Sequence, residues 1–421
     1  MRPQNLSLDQ APPFQTVYRF YLTAPLFVIA AAIALLFADP NMLISYLTPS
    51  VIGIVHLITI GFFLNTIVGS LSQMLPVLAG VSLKRPVIFS QLVYWILNLG
   101  ALSFVTGLIF QLNSAILAGV VLLTISYLFF FLTIARLVFQ PNTINPTMIG
   151  FRLTVIFALM GLLVGALLGV NYIVDLNIVH RLLMLRLHYD MMLMGVIFTL
   201  IVAVCFKIIP MFYVTNEYPP WLKVLLLPTI AFLLLIETLM ALPIIPSIGW
   251  LEAIYPLLYF VPLTLFAIIT IIRIYQRRRP VRDTTVYYWY LAMLLLIVAM
   301  LLIGYNQLYP TIYLSQYLAI IVGPGVILSV MLGMLYKILP FLAWFHLTAH
   351  GVIRAPTMRA LLPSKVTNIQ LLTHIVGILL LLIAIRWPQL LILGAAMLAI
   401  SQLIHLVIIS QIIRKYHHLK N

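Results

Sequence analysis

Apolar runs of about 20 residues recur along the whole chain, and nothing else in the sequence limits its fold so tightly. A helix of that length crosses about 30 Å of hydrocarbon. Candidate spans fall near 18–38, 51–80, 87–111, 115–137, 149–170, 187–214, 222–245, 252–275, 286–308, 315–345, 366–386 and 388–413. With 64% hydrophobic and 7% charged residues and a mean hydropathy of +1.17, too little polar surface remains to keep 421 residues in water. The expected fold is all-α, a polytopic membrane protein of about 12 transmembrane helices whose first partner is the lipid bilayer. Connections are short, so 1–421 reads as a single membrane domain with no separate soluble part.

A net charge of +15 invites a nucleic-acid reading, but the basic residues sit in alternate connections rather than on one face or in one tail. Arg2, Arg19, Lys84, Arg85, Arg136, Arg152, Lys223, the run Arg277-Arg278-Arg279 with Arg282, Arg354, Arg359, Lys365, Arg414, Lys415 and Lys420 all fall on one side. Only Arg181, Arg186 and Arg386 flank the other. By the positive-inside rule the first side is cytoplasmic, which places both termini in the cytoplasm and the chain in the inner cell membrane. No nucleic-acid partner is expected. The first 17 residues contain Pro3, Pro12 and Pro13 and lack a charged-then-apolar leader pattern, so the first helix is expected to act as its own insertion signal. The single cysteine, Cys205, excludes an internal disulfide.

Internal repetition adds the next constraint. Gly61-Asn65-Gly69-Gln73-Pro76 aligns without gaps with Gly195-Thr199-Ala203-Lys207-Pro210 and with Gly325-Ser329-Gly333-Lys337-Pro340. The three sets lie in the second, sixth and tenth spans. Thr16-Val17-Tyr18 and Tyr21-Leu22 open the first span as Thr285-Val286-Tyr287 and Tyr290-Leu291 open the ninth. The pattern predicts three four-helix repeats, approximately 15–140, 148–280 and 284–416, related by a pseudo-threefold axis. Small residues every four positions let membrane helices approach closely, so these three should be the inner helices. The prolines are expected to bend each near its cytoplasmic end. Gln73, Lys207 and Lys337 read either as polar fittings of a pathway or as side chains reaching the interface.

Nine histidines and a few acids carry the chemistry. His56 and His188 open the second and sixth spans, in the outer half of the membrane. His346, His350, His374 and His405 share the cytoplasmic half, while His180, His417 and His418 lie outside the spans. A neutral imidazole in a membrane interior needs a partner, either an interhelical hydrogen bond or a metal such as haem iron or copper. His56 and His188 are the first candidates for ligands, and the other four form a second candidate set. His56 aligns with Asp190 rather than with His188, so the pair is not related by strict repetition. Glu237 lies inside the seventh span and Asp190 beside Arg186. Intramembrane carboxylates mark a proton or ion route or an ion pair, with Asp190 the expected partner of Arg186. No phosphate-binding loop, zinc-protease motif, cysteine cluster or nucleophile elbow is present.

Twelve helices in three arcs, with histidines opening the second and sixth, resemble the catalytic subunit of heme-copper oxidases and nitric oxide reductases. His56-Leu57 through Gly61-Phe62, Leu187-His188-Tyr189 through Pro210-Met211-Phe212, and Gly333 through Lys337 to Pro340-Phe341 are similar to segments of the bacterial NnrS-type group. The resemblance implies haem, with copper second, in a protein linked to respiration or nitric oxide handling. It maps His56 to a low-spin haem ligand and His188 to a copper ligand, and it implies a second copy of the chain or respiratory subunits as partners. Two departures stand out: the tenth span has Gln316, Tyr317 and Gly323 but no histidine before His346, and Lys223 to Glu252 contains none. A complete oxidase or nitric oxide reductase centre is missing, and haem binding without oxygen or nitric oxide turnover is what the resemblance leaves. From a different class, a transporter or channel would run its route along Lys207, Lys337 and Glu237, although transport folds commonly use inverted repeats.

Overall fold

The computed structural model describes residues 10–37, 47–79, 82–140, 145–176, 178, 180–240, 254–255, 257–278, 283–352 and 354–420. Arg2, Pro3, Glu252, Arg279 and Arg282 of the sequence argument lie outside the described residues. Helices dominate: α1 (Gln15–Leu36), α2 (Pro49–Val77), α3 (Pro86–Phe110), α4 (Asn113–Phe139), α5 (Pro146–Val170), α6 (Arg181–Tyr213), α7 (Pro220–Met240), α8 (Phe260–Tyr275), α9 (Thr284–Leu308), α10 (Leu314–Ala349), α11 (Ser364–Ala384) and α12 (Pro388–Lys420). Eleven of these are long and apolar enough to cross a membrane; α8, at 16 residues, is shorter. The chain is thus a multi-pass helical protein built for lipid.

Starts and stops follow local chemistry. Proline occupies the first turn of α2, α3 and α5, where its missing N–H leaves no helix bond unmade. Thr48, Asn145 and Asp283 cap α2, α5 and α9 through their side chains. Nothing stops α12 after the apolar run, and it continues through the basic tail to Lys420, where His417, His418 and Lys420 suit the negative end of the helix dipole. His405 therefore lies about four turns from the end of α12, the helix running on past the apolar run.

Helices close into a ring. α1 packs on α2, α5 on α6 and α9 on α10; α4 meets α5, α8 meets α9, and α12 returns to α1. Inside stand α2, α6 and α10, with 61%, 72% and 72% of their apolar windows buried against 33% to 50% for the other spans. The Phe14 and Tyr416 rings touch at 4.7 Å, so the starts and ends of the described chain share one end of the bundle. Arg278 N–H donates to the Val214 carbonyl at 3.0 Å, so α8 ends beside the end of α6. The α7–α8 segment has therefore gone across and come back despite the short α8.

One feature of the inner helices is invisible to a 3.6-residue pattern. Each contains an eight-residue π-helical segment: Leu57–Leu64, Met191–Phe198 and Ile321–Leu328. The π turn widens the helix and frees carbonyls from their usual partners. The residue that follows each segment reaches back to such carbonyls: Asn65 donates to Gly61 at 2.9 Å and to Ile60, five positions back, at 3.4 Å, while Thr199 donates to Met194 at 2.8 Å and Ser329 to Pro324 at 3.4 Å, each five positions back. The polar place in the stripe is thereby explained. The fifth residue of each segment is the stripe glycine, against which the preceding long helix sets a large side chain. An added Cβ would come within 2.3 Å of Phe27 at Gly61, 2.6 Å of Phe157 at Gly195 and 2.8 Å of Leu295 at Gly325. Two turns on, Gly69 meets Tyr21 and Gly333 meets Tyr288, whereas Ala203 faces Gly150 of α5: there the small residue has changed helix.

Candidate functional site

His56 is the last residue before the first π segment, and His188 stands two residues before Asp190, which holds the same place before the second. Both are two turns inside their helices rather than at the start, because α2 begins at Pro49 and α6 at Arg181. His56 Nδ1 lies 2.7 Å from the Ile52 carbonyl one turn back; His188 Nδ1 lies 2.9 Å from the Gly161 carbonyl of α5. A carbonyl has no proton to give, so Nδ1 is the donor in each ring and Nε2 keeps its lone pair. The His188 ring rests on Gly165, where a Cβ would meet Cε1 at 2.5 Å. The two rings are nearly parallel, 15° apart, with centroids separated by 6.4 Å. A backbone carbonyl holding one nitrogen of a histidine is how metal-binding imidazoles are commonly oriented.

Both histidines line a cavity of about 1180 Å³. Its wall is mainly apolar, with contributions from Phe63, Phe104, Leu123, Leu162, Met192, Leu296, Met300 and Leu398, and Pro324 of the third π segment also reaches it. Polar groups enter at Arg186, Asp190, Tyr255, Tyr259, Asn306 and Arg386. A smaller recess of about 150 Å³ on the His56–His188 side includes Arg181 and Tyr172.

Asp190 and Glu237 come together at one guanidinium. Arg186 Nε is 3.7 Å from Asp190 Oδ2 and 3.0 Å from Glu237 Oε1. The Tyr255 hydroxyl donates to the Leu233 carbonyl at 2.8 Å and lies 3.2 Å from Glu237 Oε2 and 3.0 Å from the Tyr259 hydroxyl, and the Arg186 cation lies 5.4 Å from the Tyr255 ring centre. Glu237 is thus one member of a buried network rather than a solitary carboxylate. Pairing of Asp190 with Arg186 agrees with the sequence expectation; the third partner was not legible, since Arg186 and Glu237 are 51 positions apart.

The remaining candidates separate. Lys207 is exposed, whereas Lys337 pairs with Asp283, the cap of α9, and lies 5.2 Å from the Tyr213 ring centre. Burial works against the Asp283 carboxylate, but the Lys337 ammonium and the Thr285 N–H outweigh it and hold its pKa below the usual value. Outside the spans Glu217 is also lowered, by its hydrogen bond and charge pairing with Lys223. His350 Nδ1 donates to the His346 carbonyl at 2.6 Å, and the His346 ring packs 5.9 Å from Phe14. His374 and His405 are fully buried in a polar cluster between α9, α10, α11 and α12. That cluster includes Tyr288, Tyr336, Gln370 and Ser401, which sequence reasoning missed; its only trace was polar residues at helical spacing, Thr367-Gln370-His374 and Ser401-Gln402-His405. Among the described residues no group of three or more His, Cys, Asp or Glu is gathered as a metal site would need. Neither models of known protein families nor curated proteins match this chain.

Proposed function

We propose that the chain is a haem-binding multi-pass protein of the inner cell membrane, in which His56 and His188 would hold the haem. One observation carries this reading: two parallel imidazoles, each with Nδ1 engaged by a carbonyl and Nε2 free, stand 6.4 Å apart on the wall of a large apolar cavity. A metal bound by protein atoms alone asks for three or four ligands, which the described residues do not gather; haem iron asks for two. The volume, about 1180 Å³, exceeds that of most small-molecule pockets, about 300 to 1000 Å³. Arg386 at the cavity wall offers a cation for carboxylates of such a ligand. Held by His56 and His188, a haem would supply one-electron chemistry. Electron transfer or sensing linked to respiration or nitric oxide handling follows, rather than turnover.

Sharing one iron departs from the heme-copper oxidase pattern, in which the two histidines serve different metals. The wider likeness to that scaffold, three arcs about a pseudo-threefold axis, is supported by the three π segments at matching places and by the like packing of α1 on α2, α5 on α6 and α9 on α10.

An absorption spectrum of the purified protein, before and after dithionite, tests the proposal. A Soret band and sharp bands on reduction are expected. His56→Ala and His188→Ala should each remove those bands, while Lys207→Met leaves them. Absence of a Soret band, with no iron by elemental analysis, overturns the reading; copper without iron would instead assign the pair to copper.

A further inference from the structure

Below the cavity floor at Pro324, the helices α9 to α12 enclose polar side chains that nothing in the proposed haem site uses. Their hydrogen bonds have a readable direction. Tyr288 and Tyr336 both donate to Gln370 Oε1, the latter at 3.1 Å, and Gln370 Nε2 donates to Ser401 Oγ at 2.8 Å. Because the Tyr336 proton is committed, its oxygen accepts from His405 Nδ1 at 2.9 Å, and His405 Nε2 is left as a bare lone pair. One turn from it on the same helix face, both amide atoms of Gln402 lack a hydrogen-bond partner among the described residues; so do His405 Nε2 and His374 Nδ1. All three residues are 0% exposed.

Buried polar atoms in folded proteins are satisfied by protein or by ordered water in the great majority of cases, because one left bare carries its full desolvation cost. Three side chains in this condition within one cluster ask for an occupant that both donates and accepts. A metal ion shared by the two imidazoles would accept lone pairs but leave the Gln402 amide donors idle. Water serves every one of them, and two to four polar partners are what a buried water takes.

We infer that α9 to α12 enclose a hydrated polar seam, a chain of ordered waters linking Gln402, His405 and His374, which gives protons access between the Lys337–Asp283 end of the bundle and the cavity floor. The path has rungs at both ends. Thr284 and Thr367, joined at 2.9 Å, lie one turn below Tyr288 and Gln370, while Ser329 joins His374 Nε2 at 2.9 Å and reaches the Pro324 carbonyl. From Thr367 to His374 the rise is about 10 Å, and Pro324, whose carbonyl Ser329 reaches, also lines the cavity. The inference stands whether or not haem binds.

Hydrogen exchange of the full chain in lipid nanodiscs tests it. The protein, carrying ¹⁵N-histidine, is moved into deuterated water, and loss of the His405 Nδ1–H signal is followed by NMR, assigned by its absence in His405→Gln. Expected are the Nδ1–H tautomer, an Nε2 shift typical of a hydrogen-bonded acceptor, and rapid exchange despite complete burial. Gln402→Leu, which removes an unpaired amide and puts an apolar side chain against the chain of waters, should slow that exchange at least tenfold. Protection of His405 as long-lived as that of the α12 backbone amides, or a free-acceptor Nε2 shift in the native protein, overturns the seam. So does an exchange rate unchanged by Gln402→Leu.

Discussion

Asp283 illustrates how a single residue can hold two roles that chemistry separates. Its side chain caps α9 by accepting from the Thr285 N–H at 3.0 Å, and its charge meets Lys337 of α10. Asparagine caps a helix about as well as aspartate, so Asp283→Asn removes the charge pair and spares the cap. The expected loss at pH 7 is about 2 kcal/mol, the scale of a hydrogen bond to a charged group. Because the folded-state pKa lies below the ordinary value, the charge contribution is complete above about pH 3.9 and fades only as pH falls through the folded value. Thermal unfolding of both proteins in detergent across pH should show a constant gap from pH 7 to about 4 that narrows below; a gap already closed at pH 5 would refute the assignment. Asp283 was not among the residues singled out from sequence, whereas Lys337 was, as either a pathway group or an interfacial one. A lysine's partner in another helix leaves no local pattern, which is also why Arg186 between Asp190 and Glu237 was only half legible.

At the level of elements, the inner helices were legible as a stripe but not as a geometry. Small residues four apart predicted close packing, and Phe27, Phe157 and Leu295 do press on Gly61, Gly195 and Gly325. The π segments escaped because their signature, an extra residue per turn, blurs the periodicity used to find helices, and because Asn65, Thr199 and Ser329 read as generic polar contacts until the carbonyls five back were seen to need them. Close approach at Gly195 makes a sharp test. Gly195→Leu forces a Cβ to within 2.6 Å of Phe157, and overpacking of that kind costs about 1–3 kcal/mol. Phe157→Ala opens a hole where the ring was. Combined, the two should be less destabilising than their separate losses added together, since the new side chain occupies the space the ring vacates. Strict additivity in detergent unfolding would mean that α5 and α6 do not meet there.

Across the whole molecule, fold class came through because hydrocarbon imposes it: a span that satisfies its own backbone outside a closed barrel must be helical, and its length of about 20 apolar residues leaves a mark in any window of sequence. Orientation is a weaker signal, carried by a score of basic side chains, and it makes a claim that labelling can check. The first and last described helices share one end of the bundle, through Phe14 and Tyr416, and the ends of α6 and α8 meet through Arg278 and Val214. Those contacts require that an even number of crossings separates each pair, so α8 must traverse in spite of its 16 residues. Cys205 is buried and is the only cysteine, so Cys205→Ala gives a silent background. In it, Tyr309→Cys and Trp387→Cys, both exposed at the end away from the termini, should react with a membrane-impermeant maleimide on intact spheroplasts. Lys84→Cys and Lys415→Cys should react only after lysis. The reverse pattern would invert the protein and place the His56–His188 cavity in the cytoplasmic half. Labelling of Lys415→Cys together with Trp387→Cys from outside would mean that α12 does not cross, and the closed ring with its cavity could not stand.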